Sequence, residues 1–257
     1  MPATSQLQGD SAAPVDMAGA VAAWSAWYAA MGVSSVLRPE TEAVHDLPRR
    51  AGEPDGVASA RRLAASCGSV EELEAALADF RQCPLQATAT RLCFHDGNPK
   101  SGIMLVGEAP GAEEDRQGKP FVGPSGQLLD RMLAAIDLDR TQVYITNVIY
   151  WRPPGNRPPT AAEIAICQPF LERQIELVRP RRLVFVGGIA ARALLGLKEG
   201  VTKLRGRRYA YQAPGADEDV PASVMFHPAY LLRQPLQKRL AWRDMLTLQA
   251  DLATATP

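Results

Sequence analysis

The sequence predicts an α/β protein with three layers, in which helices cover both faces of a central, mostly parallel four-stranded sheet. A helical N-terminal extension precedes this domain in the chain. From Gly102 onward, short apolar runs alternate with segments of helical periodicity, a pattern typical of parallel sheets. The chain has 257 residues, enough for one such domain with a small appendage. Apolar residues make up 46% and charged residues 22%, which indicates a folded globular protein rather than a disordered one.

The chain is divided into an extension, residues 1–65, and an α/β domain, residues 66–257. Residues 17–37 carry no charge over 21 positions. Their large apolar side chains recur at steps of three and four, which predicts a helix with one apolar face. No basic residue precedes this segment, which argues against a signal peptide, and we interpret it as a docking or core helix rather than a membrane span.

The elements of the α/β domain follow from the periodicity of its apolar residues. Three helices are predicted, at residues 70–80, 127–136 and 161–178, and the last opens with the capping box Thr160-x-x-Glu163. Four strands are predicted, at residues 103–106, 143–149, 183–186 and 224–226.

Ligands of parallel α/β folds bind beyond the carboxyl ends of the strands, so the residues there are the functional candidates. The glycines at 111 and 118 are separated by six residues rather than the four of a phosphate-binding P-loop, and no G-x-G-x-x-G motif follows a strand. Nucleotide-binding sites of these kinds are therefore excluded. The candidates are Glu108, Phe121, Asn147 and His227, a set that can stack on and polarise a flat heterocycle.

Three segments carry a family resemblance: GEAPGAEEDRQGKPFVGPSGQLL from residue 107, VYITNVIYWRPPGNRPPT from residue 143, and HPAYLLRQP from residue 227. They resemble, in order and spacing, the three signature regions of the family 4 uracil-DNA glycosylases, over about 70% of the chain. The resemblance implies a monofunctional DNA glycosylase. Such an enzyme flips deoxyuridine out of DNA and hydrolyses its N-glycosidic bond, releasing uracil and leaving an abasic site.

The resemblance assigns Gly107, Phe121 and Asn147 to the uracil pocket. The Phe121 ring offers a face on which uracil can stack. The Asn147 amide can donate to uracil O4 and accept from N3–H, whereas cytosine presents the opposite order and would leave buried polar groups unpaired. The alternatives are a core phenylalanine and a strand asparagine bound to backbone.

The remaining pocket residues implied by the resemblance are His227, Glu108 and Glu114. His227 is expected to bond uracil O2 and to stabilise the negative charge of the leaving base, and Glu108 to position or activate the attacking water. Glu114 is expected to crowd uracil C5 and exclude the thymine methyl group. Alternatively, His227 caps a helix and Glu108 braces a loop.

The expected DNA contacts combine an apolar wedge with positive charges. Leu232 lies in the segment that resembles the family's wedge, which enters the minor groove and fills the vacated stack. Positive side chains there and elsewhere can neutralise phosphates, although solvated surface charges are an equal alternative. The residues assigned to DNA binding are Arg152, Arg157, Lys203, Arg205, Leu232 and Arg233.

The resemblance also implies a four-cysteine iron–sulfur cluster, from which this sequence departs. Aligned on the motifs, the ligand positions hold Phe80, Cys83, Trp151 and Cys167, so that two thiolates remain where a [4Fe–4S] cluster needs four. We therefore expect no cofactor, with the aromatic side chains filling the volume of the cluster.

Two other cysteines, Cys67 and Cys93, could replace the missing ligands only if the chain were rerouted. Residues 148–160 contain no histidine, so the covalent trapping of uracil sites known for one relative is not expected.

Other interpretations remain open from sequence alone. The chain could be a non-catalytic sensor of uracil or abasic DNA, or a glycosylase for another deaminated base. Four cysteines are too few for a secreted disulfide scaffold and fit a reducing cytoplasm. We expect a cytoplasmic protein of bacterial type that works at the nucleoid, and we expect a monomer. The 28 basic and 28 acidic residues balance, which excludes a uniformly basic binder but not a local basic patch. The extension could bind a protein partner.

Overall fold

A mostly parallel sheet forms the centre of the protein in the computed structural model, which describes residues 55–214 and 218–254. Within these residues the sheet has six strands in the order β1-β3-β2-β4-β6-β5. The strands are β1 (Asp96–Gly97), β2 (Ile103–Gly107), β3 (Tyr144–Asn147), β4 (Arg182–Val186), β5 (Arg208–Tyr211) and β6 (Val220–Met225). The inner four are parallel, and β1 and β5 pair antiparallel at the two edges.

The inner strands are the four predicted, but the sheet is wider than predicted. Two short edge strands were missed because their side chains are only partly covered, in contrast to β2, which is buried throughout. Strand β3 ends at Asn147, two residues before the predicted end, and β6 begins at Val220, four residues before the predicted start. The register pairs Gly107 of β2 with Asn147 of β3, which brings two predicted site residues together at the sheet's carboxyl edge.

Helices cover both faces, as predicted. They are α1 (Asp55–Ser66), α2 (Val70–Asp79), α3 (Ala112–Gln117), α4 (Pro124–Ala134), α5 (Ala161–Val178), α6 (Gly188–Leu195), α7 (Val201–Leu204), α8 (Pro228–Arg233) and α9 (Lys238–Thr254). Successive residues of β2 point to opposite faces. Met104 lies in a core with residues of α1, α2, α5 and α6, whereas Leu105 packs with Leu129 of α4 and Met245 of α9.

Helix α5 matches its prediction at both ends. The Thr160 hydroxyl accepts from the Glu163 N–H at 3.2 Å, and the Glu163 carboxylate accepts from the Thr160 N–H at 2.7 Å. This is the predicted capping box, which satisfies N–H groups that the first helical turn leaves without partners.

Helix α1 crosses the position between residues 65 and 66 where the sequence places the end of the extension. Its buried residues Ala60 and Ala64 belong to the same core as α5, so this helix packs as part of the α/β domain. The helix predicted at residues 17–37 lies outside the described residues. Among the helices that the structure describes, none is long and apolar enough to cross a membrane.

Candidate functional site

The candidate site is a cleft at the carboxyl edge of the parallel strands. Its volume is about 670 Å³, and its walls come mainly from the loops and helices that follow β2 and β6. Predicted site residues lie together here: Glu108 directly follows β2, and Glu114 and Phe121 belong to the segment after it. His227 follows β6. Tyr230 and Arg233 on α8 line the same cleft.

Gly107 lies where the predicted base-binding side chains meet. A Cβ atom at this position would come within 2.4 Å of Asn147 Oδ1 and 2.5 Å of the Phe121 ring. Such distances are far below van der Waals contact, so only glycine leaves room for both side chains. Gly107 thus acts through the absence of a side chain.

Asn147 carries an unsatisfied amide at the end of β3. The residue is 1% exposed, and neither its Nδ2 nor its Oδ1 has a hydrogen-bond partner among the described residues. Burying an amide without partners costs on the order of 1–3 kcal/mol. The alternative of a strand asparagine bound to backbone is not what the structure shows, and a planar ligand with one donor and one acceptor would satisfy both atoms.

Phe121 adopts a backbone conformation that is unusual for a residue with a side chain. Its φ angle is 55°, in the left-handed region, which costs a non-glycine residue on the order of 1–2 kcal/mol. Its ring is 4% exposed and stacks on the His227 ring at a centroid distance of 5.4 Å. Strained residues that the surrounding structure holds in place cluster at functional sites.

His227 is held in a defined tautomer by the start of α8. Its Nδ1 accepts a hydrogen bond from the Ala229 N–H at 3.1 Å, so in the neutral ring the proton is on Nε2. Burial in the cleft, together with the positive charge of Arg233, lowers the pKa of His227 to about 4. The ring is therefore neutral at pH 7 and presents an N–H donor. It is both a helix cap and a cleft residue.

Glu108 is the half-buried carboxylate of the cleft. Burial raises its pKa, and the positive charges of Arg192 and Arg233 partly oppose this. A carboxylate with a raised pKa is a better proton acceptor near neutral pH than an exposed one. Arg192, on α6, was missed by sequence reasoning, since nothing in its segment marks the helix as facing Glu108.

Glu114 lines the cleft but is occupied by backbone contacts. Its carboxylate accepts from the Gly111 N–H at 3.1 Å and from the Gly123 N–H at 2.8 Å. These glycines precede α3 and α4, so Glu114 ties together the starts of two helices. This favours a bracing role over the predicted contact with uracil C5.

Arg157 and Arg205, two of the predicted DNA-binding residues, are engaged within the protein. Arg157 donates to both carboxylate oxygens of Glu163, at 2.8 and 2.6 Å. Arg205 has a side chain only 14% exposed, and it donates to Asp244 and to the Leu240 carbonyl of α9. Their charges are already neutralised, which favours structural roles over the predicted phosphate contacts.

Arg157 is nevertheless exposed and lines the cleft, and the remaining predicted DNA-binding residues also lie at or near the surface. Lys203, Leu232 and Arg233 are exposed, and Arg152 donates to the Asn156 side chain at 2.7 Å. Sequence reasoning missed Leu236, which is 92% exposed shortly after the predicted wedge Leu232, itself 41% exposed. Leu232, near the end of α8, and Leu236, just after this helix, are thus apolar side chains exposed to solvent.

The positions aligned with cluster ligands form an apolar core. Phe80, Cys83, Trp151 and Cys167 are all buried in the core beneath one face of the sheet, and Phe80 packs edge-on against Phe170 at 5.1 Å. The two thiols act on each other, which lowers the pKa of Cys83 and raises that of Cys167.

The remaining cysteines are engaged elsewhere, Cys67 with the Leu63 carbonyl and Cys93 with the Glu114 carbonyl. In the part of the chain that the structure describes, no group of three or more His, Cys, Asp or Glu side chains is placed to hold a metal ion. The residues present therefore do not fit a four-cysteine cluster.

Comparison with known proteins gives a family match over most of the α/β domain. The family model described as the uracil DNA glycosylase superfamily matches residues 94–246. This range contains the four candidate site residues Glu108, Phe121, Asn147 and His227.

Curated relatives cover much of their own length. A type-4 uracil-DNA glycosylase from Pyrobaculum aerophilum is 39% identical over 180 residues, 68% of this chain and 91% of the relative. One from Thermotoga maritima is 42% identical over 152 residues, 59% of this chain and 77% of the relative. A type-5 uracil-DNA glycosylase from Mycobacterium leprae is 33% identical over 184 residues, with 58% and 80% covered.

Proposed function

Because the chain belongs to the uracil-DNA glycosylase superfamily, we propose that it flips deoxyuridine out of DNA and hydrolyses its N-glycosidic bond, which releases uracil and leaves an abasic site. The observation that carries this proposal is the buried, unpartnered amide of Asn147 beside Gly107 and Phe121. A base in a duplex cannot reach such a group, so it must leave the stack.

Base recognition is assigned to Asn147 and Phe121. The Asn147 amide donates to uracil O4 and accepts from N3–H, which satisfies both unpartnered atoms, while cytosine would leave them opposed to like groups. The uracil ring stacks on Phe121. Since Phe121 is 4% and Asn147 1% exposed, entry of the base requires a local shift of the Phe121 ring or of the cleft wall.

Bond cleavage is assigned to His227 and Glu108. As the C1′–N1 bond breaks, its electron pair leaves with uracil, and the neutral His227 ring donates its Nε2–H to uracil O2, where negative charge develops. Glu108 holds the attacking water, whose oxygen bonds to C1′ and whose proton passes to the Glu108 carboxylate. The positive charges of Arg192 and Arg233 act on this carboxylate and are positioned to keep it ionised before the attack.

DNA is held by the exposed side chains around the cleft. We assign the wedge to Leu232, and Leu236 follows shortly after it in the chain. Phosphate contacts are assigned to Arg233, Lys203 and Arg152. Arg157 and Arg205 support this surface through their ion pairs with Glu163 and Asp244.

We further propose that the protein holds no iron–sulfur cluster. The support is the ligand set: Cys83 and Cys167 are the two free thiols present at the aligned positions, and buried aromatic side chains stand at the other two positions. The apolar core then holds the loop after β3 in place through the buried Trp151 side chain, without a metal.

The decisive test is incubation of the full chain with oligonucleotides that contain uracil opposite G, opposite A, or in a single strand, followed by alkali cleavage and detection of free uracil. Uracil release by wild-type protein, and its loss in His227→Ala, is the expected result. Oligonucleotides containing hypoxanthine or xanthine form a second arm. Binding to uracil DNA without release would identify a sensor, and release of another base alone would reassign the substrate.

A further inference from the structure

Outside the residues already assigned to the cleft, Arg140 holds the backbone that carries Phe121. Arg140 follows α4, and its Nη2 donates to the Phe121 carbonyl while its Nη1 donates to the Pro120 carbonyl at 3.3 Å. These are the carbonyls on either side of the left-handed residue. A guanidinium that donates to both peptide groups favours the unusual turn over an extended path.

Two carboxylates fix the orientation of this guanidinium. Arg140 Nε donates to Asp130 at 2.8 Å, and Nη1 donates to Asp96 at 2.7 Å. Asp130 lies on α4 and Asp96 on β1, so the side chain is anchored on two separate elements. Its exposed fraction is 24%, and the planar, rigid fork of arginine suits such multiple contacts better than an ammonium group.

Helix α4 also limits the Phe121 carbonyl. A Cβ atom at Gly126 would lie 1.6 Å from the Phe121 oxygen, so the helix surface directly adjoins this peptide group. With Arg140 bound to the oxygen and Gly126 against it, the peptide cannot turn without breaking a contact. The position of the Phe121 ring beside Asn147 and His227 follows from this backbone.

We propose that Arg140 is a positioning residue for base recognition, which holds Phe121 in the left-handed conformation so that its ring can stack on the flipped base. This inference rests on the proposed function. Arg140 touches neither the base nor the reacting atoms, and it acts through the Phe121 backbone alone.

The test compares single-turnover uracil release by Arg140→Ala and Arg140→Lys with that of the wild type. Misplacement of a binding group by about 1 Å can cost roughly 100-fold in rate, so we expect a loss of about 10- to 100-fold. The lysine variant keeps the charge beside Asp96 and Asp130 but cannot span all the acceptors, so it should also lose rate. If Arg140→Ala does not fold, the rate of uracil release by Arg140→Lys tests the proposal instead.

Arg173 provides a matched control. It also bridges a carboxylate and a main-chain carbonyl, through Glu176 and Cys67, and its side chain is 28% exposed, but it does not line the cleft. Arg173→Ala should therefore lower the melting temperature comparably and leave the rate unchanged.

A double-mutant cycle separates positioning from general stability. In a Phe121→Ala background, Arg140→Ala should change the rate by only about two-fold, because residues that act through one another are not additive. Additive losses, or a wild-type rate in Arg140→Lys, would overturn the role of Arg140 while leaving uracil release intact. Absence of uracil release by the wild type would instead overturn the proposed function together with this inference.

Discussion

At the scale of single residues, Asn147 differs from ordinary buried polar side chains. Most buried amides hydrogen-bond to backbone or to other side chains, but both polar atoms of Asn147 lack a partner among the described residues. Because β2 and β3 pair Gly107 with Asn147, the amide lies beside the one position that leaves it space. The fold thus keeps a costly unsatisfied group where a planar base can satisfy it.

Asn147→Asp should strongly reduce uracil release. An ionised carboxylate accepts but cannot donate, so it loses the bond to uracil O4, and a site built to read a polar group discriminates by a factor of about 10⁴ or more when a partner is lost. We expect single-turnover release of uracil to fall at least about 100-fold. Asn98→Asp is the control and should keep the wild-type rate. The Asn98 side-chain oxygen accepts a hydrogen bond from the Lys100 N–H in an exposed turn. A wild-type rate in Asn147→Asp would refute this assignment.

The pH dependence of cleavage should follow Glu108 rather than His227. The reactive form of Glu108 is the carboxylate, and its pKa is raised, so the rate should fall as the pH drops through a value above the usual range for a glutamate. His227, with its pKa lowered to about 4, stays neutral above pH 5 and contributes no step near 6.5. Single-turnover rates from pH 5 to 9 test this.

Glu108→Gln should lose the acid limb of that profile, and its rate should fall by about 10²–10⁴-fold, the range for a general base. A rate profile with a midpoint near 6.5 that persists in Glu108→Gln would assign the titration to histidine.

The stability of the protein should also depend on His227. The unfolded chain binds a proton at this residue near pH 6.5, and the folded chain only near pH 4. The free energy of unfolding should therefore decline as the pH falls between these values.

At the scale of elements, apolar runs predicted the inner strands because parallel strands buried on both faces are apolar throughout. The long helix α9 was missed although Ala241, Met245 and Leu248 repeat at helical spacing and are buried. Charged residues interleave with them and dilute the apolar pattern. That repeat was the signal that could have found the helix.

The backbone of Phe121 could not be predicted in the same way. A left-handed residue is usually signalled by glycine, and here the sequence has phenylalanine. Its conformation depends on Arg140, whose partners Asp96, Pro120 and Asp130 come from three separate segments. Contacts of this kind depend on the tertiary fold rather than on local sequence. The motif therefore predicted that the Phe121 ring lies in the site, but not that Arg140 holds its backbone.

The aromatic residues at the positions aligned with cluster ligands, Phe80 and Trp151, are buried in one core. Trp151, in the loop after β3, is 3% exposed and lies in one core with Phe80, Cys83 and Cys167. Trp151→Ala should lower the free energy of unfolding by about 3–5 kcal/mol, as for a large aromatic truncated in a packed interior. Denaturant titration measures this.

Trp242→Ala is the matched control. Trp242 is 41% exposed on α9, and substitutions at such positions usually stay within about 0.5 kcal/mol. Equal effects of the two substitutions would show that Trp151 does not carry the packing assigned to it.

At the scale of the whole molecule, apolar cores lie on both faces of the sheet, and under the proposal made above they support the cleft without a metal centre. One core contains the former ligand positions, and the other joins α4 and α9 to the opposite face. Metal sites hold folding free energy in metal–ligand bonds, and a protein without the cluster would draw it from aromatic burial instead, at roughly 1.5–3 kcal/mol per large side chain. Stability should then be independent of iron.

The corresponding prediction concerns the metal content of the protein. Purified without oxygen, the native chain should be colourless and should contain far less than one iron per chain, because Cys83 and Cys167 supply two thiolates where a [4Fe–4S] cluster needs four. Chelators should leave both the melting temperature and uracil release unchanged. Cys83→Ser should likewise keep its activity. Stoichiometric iron that disappears together with activity in Cys67→Ser or Cys93→Ser would show instead that the chain recruits replacement ligands, and that the aromatic core does not fill the place of a cluster.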